Sequence, residues 1–146
     1  MRKDFKMLPK VLKKNICCKL GLGLGFLAFF VLTCFFIKPL AIALAPGAFS
    51  VFALVDGIGM TIRCLSGRYI ELSGECTEVN ENIFRKRLKS FIIETTDGKV
   101  KVVTKIKTRS VNIGDNIIVY VPLNASVYDY NGGVAVCEFY GMEIIN

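Results

Sequence analysis

The distribution of apolar positions divides this sequence into parts of different character. Residues 16–62 are almost continuously apolar, whereas from Arg68 onward short apolar runs alternate with polar residues and turn signals. The first pattern is typical of membrane-spanning helices, and the second is typical of short strands. The pattern therefore predicts a tail over residues 1–15, a membrane region over residues 16–62 and a small β-rich domain over residues 63–146.

The apolar region contains two stretches long enough to cross a bilayer. Residues 16–37 carry one charge, Lys19, and residues 40–62 carry one charge, Asp56, with Lys38-Pro39 between the two stretches. At about 1.5 Å per residue, either stretch exceeds the roughly 30 Å thickness of the hydrocarbon layer as a helix. We therefore predict two transmembrane helices that form a helical hairpin.

A cleaved signal peptide is the alternative explanation of the apolar region. Ala43-Leu44-Ala45 matches the small-residue cleavage pattern, and Pro46 would then follow the cut. The apolar run before this site is far longer than the roughly 7–15 residues of a signal peptide. Pro46 also removes one backbone donor from the second helix, which membrane helices tolerate. We therefore expect both stretches to be retained as spans.

Folding the hairpin about residue 39 places Gly21 opposite Gly57 and Lys19 near Asp56. Small residues let helix backbones approach closely in lipid, and a carboxylate at membrane depth requires a partner. The glycines expected at the helix contact are Gly21, Gly25, Gly57 and Gly59. Such glycine spacing also occurs by chance in apolar segments. Three roles remain open for Asp56: a position at the end of the span, a structural pair with Lys19, and a part in transport.

The positive charge is concentrated in the N-terminal part of the chain. The net charge is +7, and the first 38 residues hold eight Lys or Arg and one acidic residue. From Arg63 onward, eleven basic residues nearly balance ten acidic ones. A basic tail beside an apolar span indicates membrane orientation more than nucleic-acid binding. Since Arg63 and Arg68 follow the second span, the positive-inside rule predicts a multi-pass protein with both termini in the cytoplasm.

The strongest local signal in the β-rich domain is Asp97-Gly98, which lies between two β-prone runs. This pair favours a two-residue hairpin turn with positive φ angles. The turn would set Thr95 opposite Val100 and Glu94 opposite Lys101. One face of the hairpin would then carry Phe91, Ile93, Thr95, Val100, Val102 and Thr104.

Further strands are expected elsewhere in the domain, with Pro122 ending the one that precedes it. They lie at residues 69–79, 116–121, 127–130 and 134–145. Residues 81–89 fit either a short helix or the approach to the hairpin. Five or six short strands predict a small all-β domain such as an OB-like or SH3-like barrel. In layout, two spans followed by a small barrel resemble the membrane-tethered OB-type proteins of the NfeD kind.

The residues usually needed for catalysis or for metal binding are scarce. The sequence contains no His, which is the commonest general base and metal ligand. Cys64, Cys76 and Cys137 lack the spacing of a zinc site. The glycines from Gly21 to Gly25 lie inside an apolar span and not after a strand, as a dinucleotide loop would require. We therefore expect a protein that is not an enzyme and that holds no cofactor or metal.

Basic residues form the candidate surface of the β-rich domain. They are Arg85, Arg87, Lys89, Lys99, Lys101, Lys105, Lys107 and Arg109. These residues could form a plain solvated face, or contact anionic lipid headgroups at about 1 kcal/mol per base. They could also bind nucleic acid, as OB-type barrels do. That last partner is the least favoured, because Phe91 is expected on the apolar face.

Together these features predict a non-catalytic scaffold, adaptor or accessory subunit that presents a cytoplasmic β domain. Its expected partners are the lipid bilayer and other membrane proteins or a second copy of the chain. One alternative is a small oligomeric transport or channel subunit that uses Lys19 and Asp56. The other is a membrane-tethered nucleic-acid-binding barrel.

Overall fold

The computed structural model describes residues 4–36, 40–82, 87–96, 98–104, 111–130 and 133–145. The chain divides into two compact units, Met1–Arg68 and Tyr69–Asn146. The first unit is helical and the second is a sheet. The two-part organisation of long helices followed by strands is therefore present, with the division a few residues later than position 62.

Two long helices make up the first unit, after a short 3₁₀ turn at Phe5–Met7. Helix α1 covers Lys10–Phe36 and helix α2 covers Leu40–Leu65. Both are long and apolar enough to cross a membrane. Helix α1 begins directly after Pro9, inside the predicted tail. Helix α2 continues through Pro46.

Helix α2 ends in a Schellman motif, the commonest helix-terminating arrangement. The Gly67 N–H donates to Cys64 O at 3.1 Å, and the Arg68 N–H donates to Arg63 O at 3.0 Å. Gly67 has a φ of 68°, a conformation that glycine adopts without steric strain. The sequence Ser66-Gly67 therefore ends the helix three residues beyond the predicted boundary.

The second unit is a mixed sheet of seven strands. They are β1 (Tyr69–Asn82), β2 (Arg87–Thr95), β3 (Gly98–Val103), β4 (Asn116–Pro122), β5 (Val127–Tyr130), β6 (Gly133–Val136) and β7 (Gly141–Ile145). The strand order is β5-β6-β3-β2-β1-β4-β7. The pair β3–β6 is parallel, and the other pairs are antiparallel. Strand β4 ends at Pro122 as predicted, because proline cannot donate to the next ladder position.

The sheet is open, so the expected closed OB-like or SH3-like barrel is not confirmed. Among the described residues, β5 and β7 form the two edges and do not pair with each other. The strand predicted over residues 134–145 is in fact two strands, because β6 lies beside β3 whereas β7 lies beside β4. The chain must cross the sheet between them, and the Tyr140 N–H already donates to Tyr120 O at 2.7 Å. The helix considered over residues 81–89 is wrong for 81–82 and 87–89, which are strand.

The predicted hairpin exists, but its register differs by two positions. Thr95 pairs with Gly98 and Glu94 with Lys99, so Lys101 lies opposite Ile92. Gly98 occupies a strand position with a φ of 129°, and its carbonyl accepts a hydrogen bond from Thr95 Oγ1 at 2.8 Å. Asp97 lies outside the described residues. Because a shift by two positions preserves the strand faces, the predicted apolar face of the hairpin is confirmed.

One hydrophobic core lies on a single face of the sheet. It contains Cys76, Leu88, Phe91, Ile93, Val102, Val111, Ile117, Val119, Val121 and Val136. Strand β1 pairs with β4 along its first half and with β2 along its second half. Two register shifts interrupt its pairing with β2, after Cys76 and after Asn80. Such bulges bend a strand, which lets β1 turn both halves of the sheet towards one core.

Candidate functional site

The two charges of the apolar helices meet. Lys19 Nζ lies 2.6 Å from Asp56 Oδ2 and donates a hydrogen bond to it. The side chains remain 41% and 56% exposed, so the pair lies on the surface of the hairpin and not between the helices. Lys19 lies three residues inside its predicted span, and Asp56 lies six residues before the end of its own. The pair is thus near one end of the hairpin, from which a lysine can reach the interface.

Buried positions mark the contact between the helices, most of them at steps of three, four or seven residues. They are Leu12, Ile16, Gly23 and Thr33 on α1, and Ser50, Gly57, Met60 and Cys64 on α2. Seven residues make almost two full turns, so such positions share one helix face. The rings of Phe26 and Phe49 extend this contact, with centroids 6.0 Å apart. The sequence therefore specifies one seam along the hairpin.

Ser50 provides a polar link inside this seam. Its side chain is fully buried, and Ser50 Oγ donates to Gly23 O at 3.0 Å. Interhelical hydrogen bonds of this kind contribute about 0.6–2 kcal/mol in membranes. The hydrophobic pattern alone does not single out Ser50. The available signal was a hydroxyl in an apolar stretch, seven positions before Gly57.

Only one of the four glycines expected at the helix contact lies there. Gly57 packs against Leu20, whose Cδ2 would lie 3.0 Å from an added Cβ. An added Cβ at the other three, Gly21, Gly25 and Gly59, would meet no described atom within 4 Å. The contact uses Gly23 instead, where a Cβ would lie 2.7 Å from the Leu54 side chain. Folding the sequence into a hairpin predicts how deep each residue lies along the helices, but not the direction in which its side chain points. Residues two apart on a helix, such as Gly21 and Gly23, point about 200° apart and so lie on nearly opposite faces.

The outward surface of both helices is apolar. Large exposed side chains on α1 are Leu22, Leu24, Phe26, Leu27, Phe29, Val31, Leu32, Phe35 and Phe36. Those on α2 are Leu44, Phe49, Val51, Phe52, Val55, Ile58 and Ile62. A helix that is apolar on all sides requires an apolar environment, either a protein core or a membrane.

The sheet curls over an apolar groove of about 640 Å³, a size typical of ligand sites. Residues of the six strands from β1 to β6 line it. The main apolar lining is Ile70, Leu72, Val100, Val121, Val134 and Val136. Polar side chains at the groove include Thr95, Lys99, Asp129 and Tyr130. No local sequence pattern predicts this groove, because it forms only when strands that are distant in the chain share one face.

Only part of the predicted basic surface can be placed. Lys89 and Lys99 are exposed, and Lys101 is partly exposed. Of Arg87 only the backbone is described, while Arg85, Lys105, Lys107 and Arg109 lie outside the described residues. The joining of all eight on one surface therefore stays a prediction.

An exposed aromatic pair lies beside one of these bases. Lys101 Nζ lies 3.8 Å from the centre of the Tyr130 ring, a distance suited to a cation–π interaction. Tyr128 is 58% exposed and Tyr130 is 37% exposed. Their spacing of two within β5 puts both on one face, which strand alternation alone could have indicated.

Two buried side chains of the sheet have raised pKa values. Burial, with the carboxylates of Glu71 and Glu143 nearby, raises the pKa of Tyr120 to about 12. Burial and the charge of Asp115 raise the pKa of Cys76. Because the thiolate is the reactive form of cysteine, this shift makes the Cys76 thiol a poor nucleophile at neutral pH.

The parts of the chain that the structure describes contain no group of three or more Cys, Asp or Glu arranged to hold a metal. No family model, curated protein or solved structure matches the chain. The comparisons thus add nothing to the resemblance in layout to the NfeD kind.

Proposed function

We propose that this chain is an integral membrane protein whose helical hairpin anchors a small sheet domain. The domain would act as a non-catalytic scaffold, adaptor or accessory subunit in a membrane complex. The observation that carries this proposal is the continuous apolar surface of α1 and α2, which faces outward along the hairpin. Exposing such side chains to water costs about 25 cal/mol per Å², whereas lipid accommodates them.

The Lys19–Asp56 pair supports an anchor over a transport subunit. Each charge has a partner at 2.6 Å, and the pair lies near one end of the hairpin. Between the helices, Gly23, Ser50 and Leu54 pack closely where a conduction path through one hairpin would have to run. A transport or channel subunit would therefore need several hairpins around a shared pore, and it remains the alternative.

The charges that flank the helices support a cytoplasmic position for both ends of the chain. Exposed Lys10 and Lys14 begin α1, and exposed Arg63 lies in the last turn of α2. These bases lie at the ends of the helices away from the connection, as the positive-inside rule requires for that topology.

Cysteine labelling on intact cells tests the anchor and its topology. One variant keeps Cys137, a partly exposed free thiol, as its only cysteine. The other has Lys38→Cys as its only cysteine, at the connection between the helices. We expect an impermeant thiol reagent to label the Lys38→Cys variant on intact cells and Cys137 only after lysis. A denatured lysate controls for burial of either thiol.

Two results would contradict the proposal. Labelling of Cys137 on intact cells would place the sheet domain outside, and the second helix would not return across the membrane. Recovery of the chain in the soluble fraction without detergent would remove the anchor itself.

Nucleic-acid binding is the second candidate, supported by Lys101 above the exposed Tyr130 ring. Single-stranded nucleic acid commonly stacks its bases on such aromatic side chains beside basic residues. Binding of a single-stranded oligonucleotide that weakens with salt and with Tyr130→Ala would favour this candidate.

A further inference from the structure

Three exposed apolar side chains surround the mouth of the apolar groove. Ile70 in β1 is 45% exposed, Leu123 after β4 is 64% exposed, and Val127 in β5 is 57% exposed. The ladder pairs Ile70 with Val121, two residues before Leu123, and all three exposed side chains line the groove. Apolar side chains around an apolar cavity mark an interaction surface, because water solvates neither.

The covalent chain limits how far this mouth can lie from the end of α2. Three residues separate Leu65, the last residue of α2, from Tyr69, the first residue of β1. A fully extended chain spans about 3.5 Å per residue, so the five steps of chain from Leu65 to Ile70 reach at most about 18 Å. A bilayer that holds α2 is thus within reach of the groove mouth.

The charges along this short connection suit a membrane surface. Arg63 and Arg68 are exposed on either side of the helix end. Basic side chains there can contact anionic headgroups. The polar groups at the groove, Lys99 and Asp129 among them, can remain in the headgroup layer while the apolar lining faces acyl chains.

We propose that acyl chains of bilayer lipids cover the apolar groove, with Ile70, Leu123 and Val127 inserted at the membrane surface. This inference rests on the proposed membrane anchor, since the anchor brings the bilayer to the groove. A second copy of the chain or an extended peptide is the competing occupant.

The chain offers a matched control at the opposite end of β4. Ile113 is an apolar turn residue that is 70% exposed, as Leu123 is an apolar turn residue that is 64% exposed. The ladder pairs Asn116 with Glu75 at one end of β4 and Pro122 with Tyr69 at the other. Six strand steps separate these ends, a distance of about 20 Å.

Tryptophan fluorescence tests the proposal, because the natural sequence contains no Trp. Single-tryptophan forms of the full chain carry Leu123→Trp, Val127→Trp, Ile113→Trp or Phe29→Trp. Each is placed in vesicles of phosphatidylcholine and phosphatidylglycerol whose acyl chains are either brominated or unmodified. Bromine quenches tryptophan on contact, so the loss of emission reports contact with acyl chains. Phe29 is 56% exposed on α1 and reports on the hairpin itself.

We expect brominated lipid to quench Phe29→Trp, Leu123→Trp and Val127→Trp, and to leave Ile113→Trp unquenched. The inference would be overturned if brominated lipid quenched Phe29→Trp but left the emission of both groove variants as high as that of Ile113→Trp. The membrane anchor would still hold in that case. Unquenched Phe29→Trp would overturn the anchor and the inference together. A blue-shifted but unquenched Leu123→Trp would show that protein covers the groove, which also overturns the proposal.

Discussion

Tyr120 is a buried phenol on β4, between strands β1 and β7, and negative charge surrounds it. Burial opposes formation of a phenolate, as do the carboxylates of Glu71 and Glu143, and the Tyr69 ring packs edge-on with the Tyr120 ring. Since Glu143 accepts a hydrogen bond from the neutral phenol, the protonated form is held in place. The side chain therefore acts as a neutral structural donor over the physiological pH range.

A titration of tyrosine absorbance should show this shift. The chain has five tyrosines, and Tyr120 should ionise in a separate phase near pH 12. We expect Tyr120→Phe to remove that phase and Tyr128→Phe, at an exposed position, to retain it. Because the folded pKa lies above the reference value of about 10, the stabilisation is complete below pH 10. It is lost as the pH rises through about 12, a change of about 3 kcal/mol in total. A phase near pH 12 that persists in Tyr120→Phe would contradict this assignment.

At the scale of the helices, Gly23 is a position that admits no larger side chain without displacement of Leu54. We expect Gly23→Val to reduce the free energy of unfolding of the hairpin by about 1–3 kcal/mol, as overpacking does. Gly21→Val makes the same chemical change two residues away, where an added Cβ meets no described atom. Both variants can be compared by titration with a denaturing detergent in mixed micelles, with helical circular dichroism as the signal.

Equal destabilisation by the two substitutions would contradict this arrangement. The loss would then not come from the contact with Leu54, and helix propensity could not explain it either, because valine is a better helix former than glycine. Greater destabilisation by Gly21→Val would mean that the helices contact each other on the face of α1 that carries Gly21, as the sequence predicts.

The hairpin illustrates what the sequence could and could not specify. Its apolar length and its two isolated charges predict which depths meet, and Lys19 does lie beside Asp56. The direction of each side chain depends on the rotation of both helices, which only the complete seam from Leu12 to Cys64 determines. The predicted depth of Gly21 and Gly25 along the hairpin is therefore right, but both lie on a face of α1 that does not contact α2.

The strands also show which features a local sequence pattern can and cannot predict. Alternation and turn residues predicted most strands and the buried face of the β2–β3 hairpin. The parallel pairing of β3 with β6 joins residues far apart in the chain, such as Val100 and Val134, and no local pattern indicates it. The open order of the sheet, and the apolar groove, both follow from such distant pairings.

At the scale of the whole molecule, the sheet unit has a core of its own, built from residues of β1, β2, β3, β4 and β6 and from Val111. We expect a fragment that begins at Tyr69 to fold without the helices. Circular dichroism should show a β spectrum with a single cooperative thermal transition, although a domain this small has modest stability. Phe91→Ala, which removes a fully buried side chain, should lower its stability by about 3–5 kcal/mol and serves as the matched control.

A fragment without a cooperative transition, or one unaffected by Phe91→Ala, would contradict an independent core. The sheet would then depend on the rest of the chain for its folding.

The ion pair that joins the two helices at the hairpin surface has a consequence for how this sequence can change over generations. Lys19 and Asp56 lie 37 positions apart in the chain, yet each is the other's partner. Replacing either alone leaves a solitary charge beside the apolar layer, which is unfavourable, whereas replacing both leaves none. Natural selection would therefore act on the two codons almost as one inherited character, kept together or lost together.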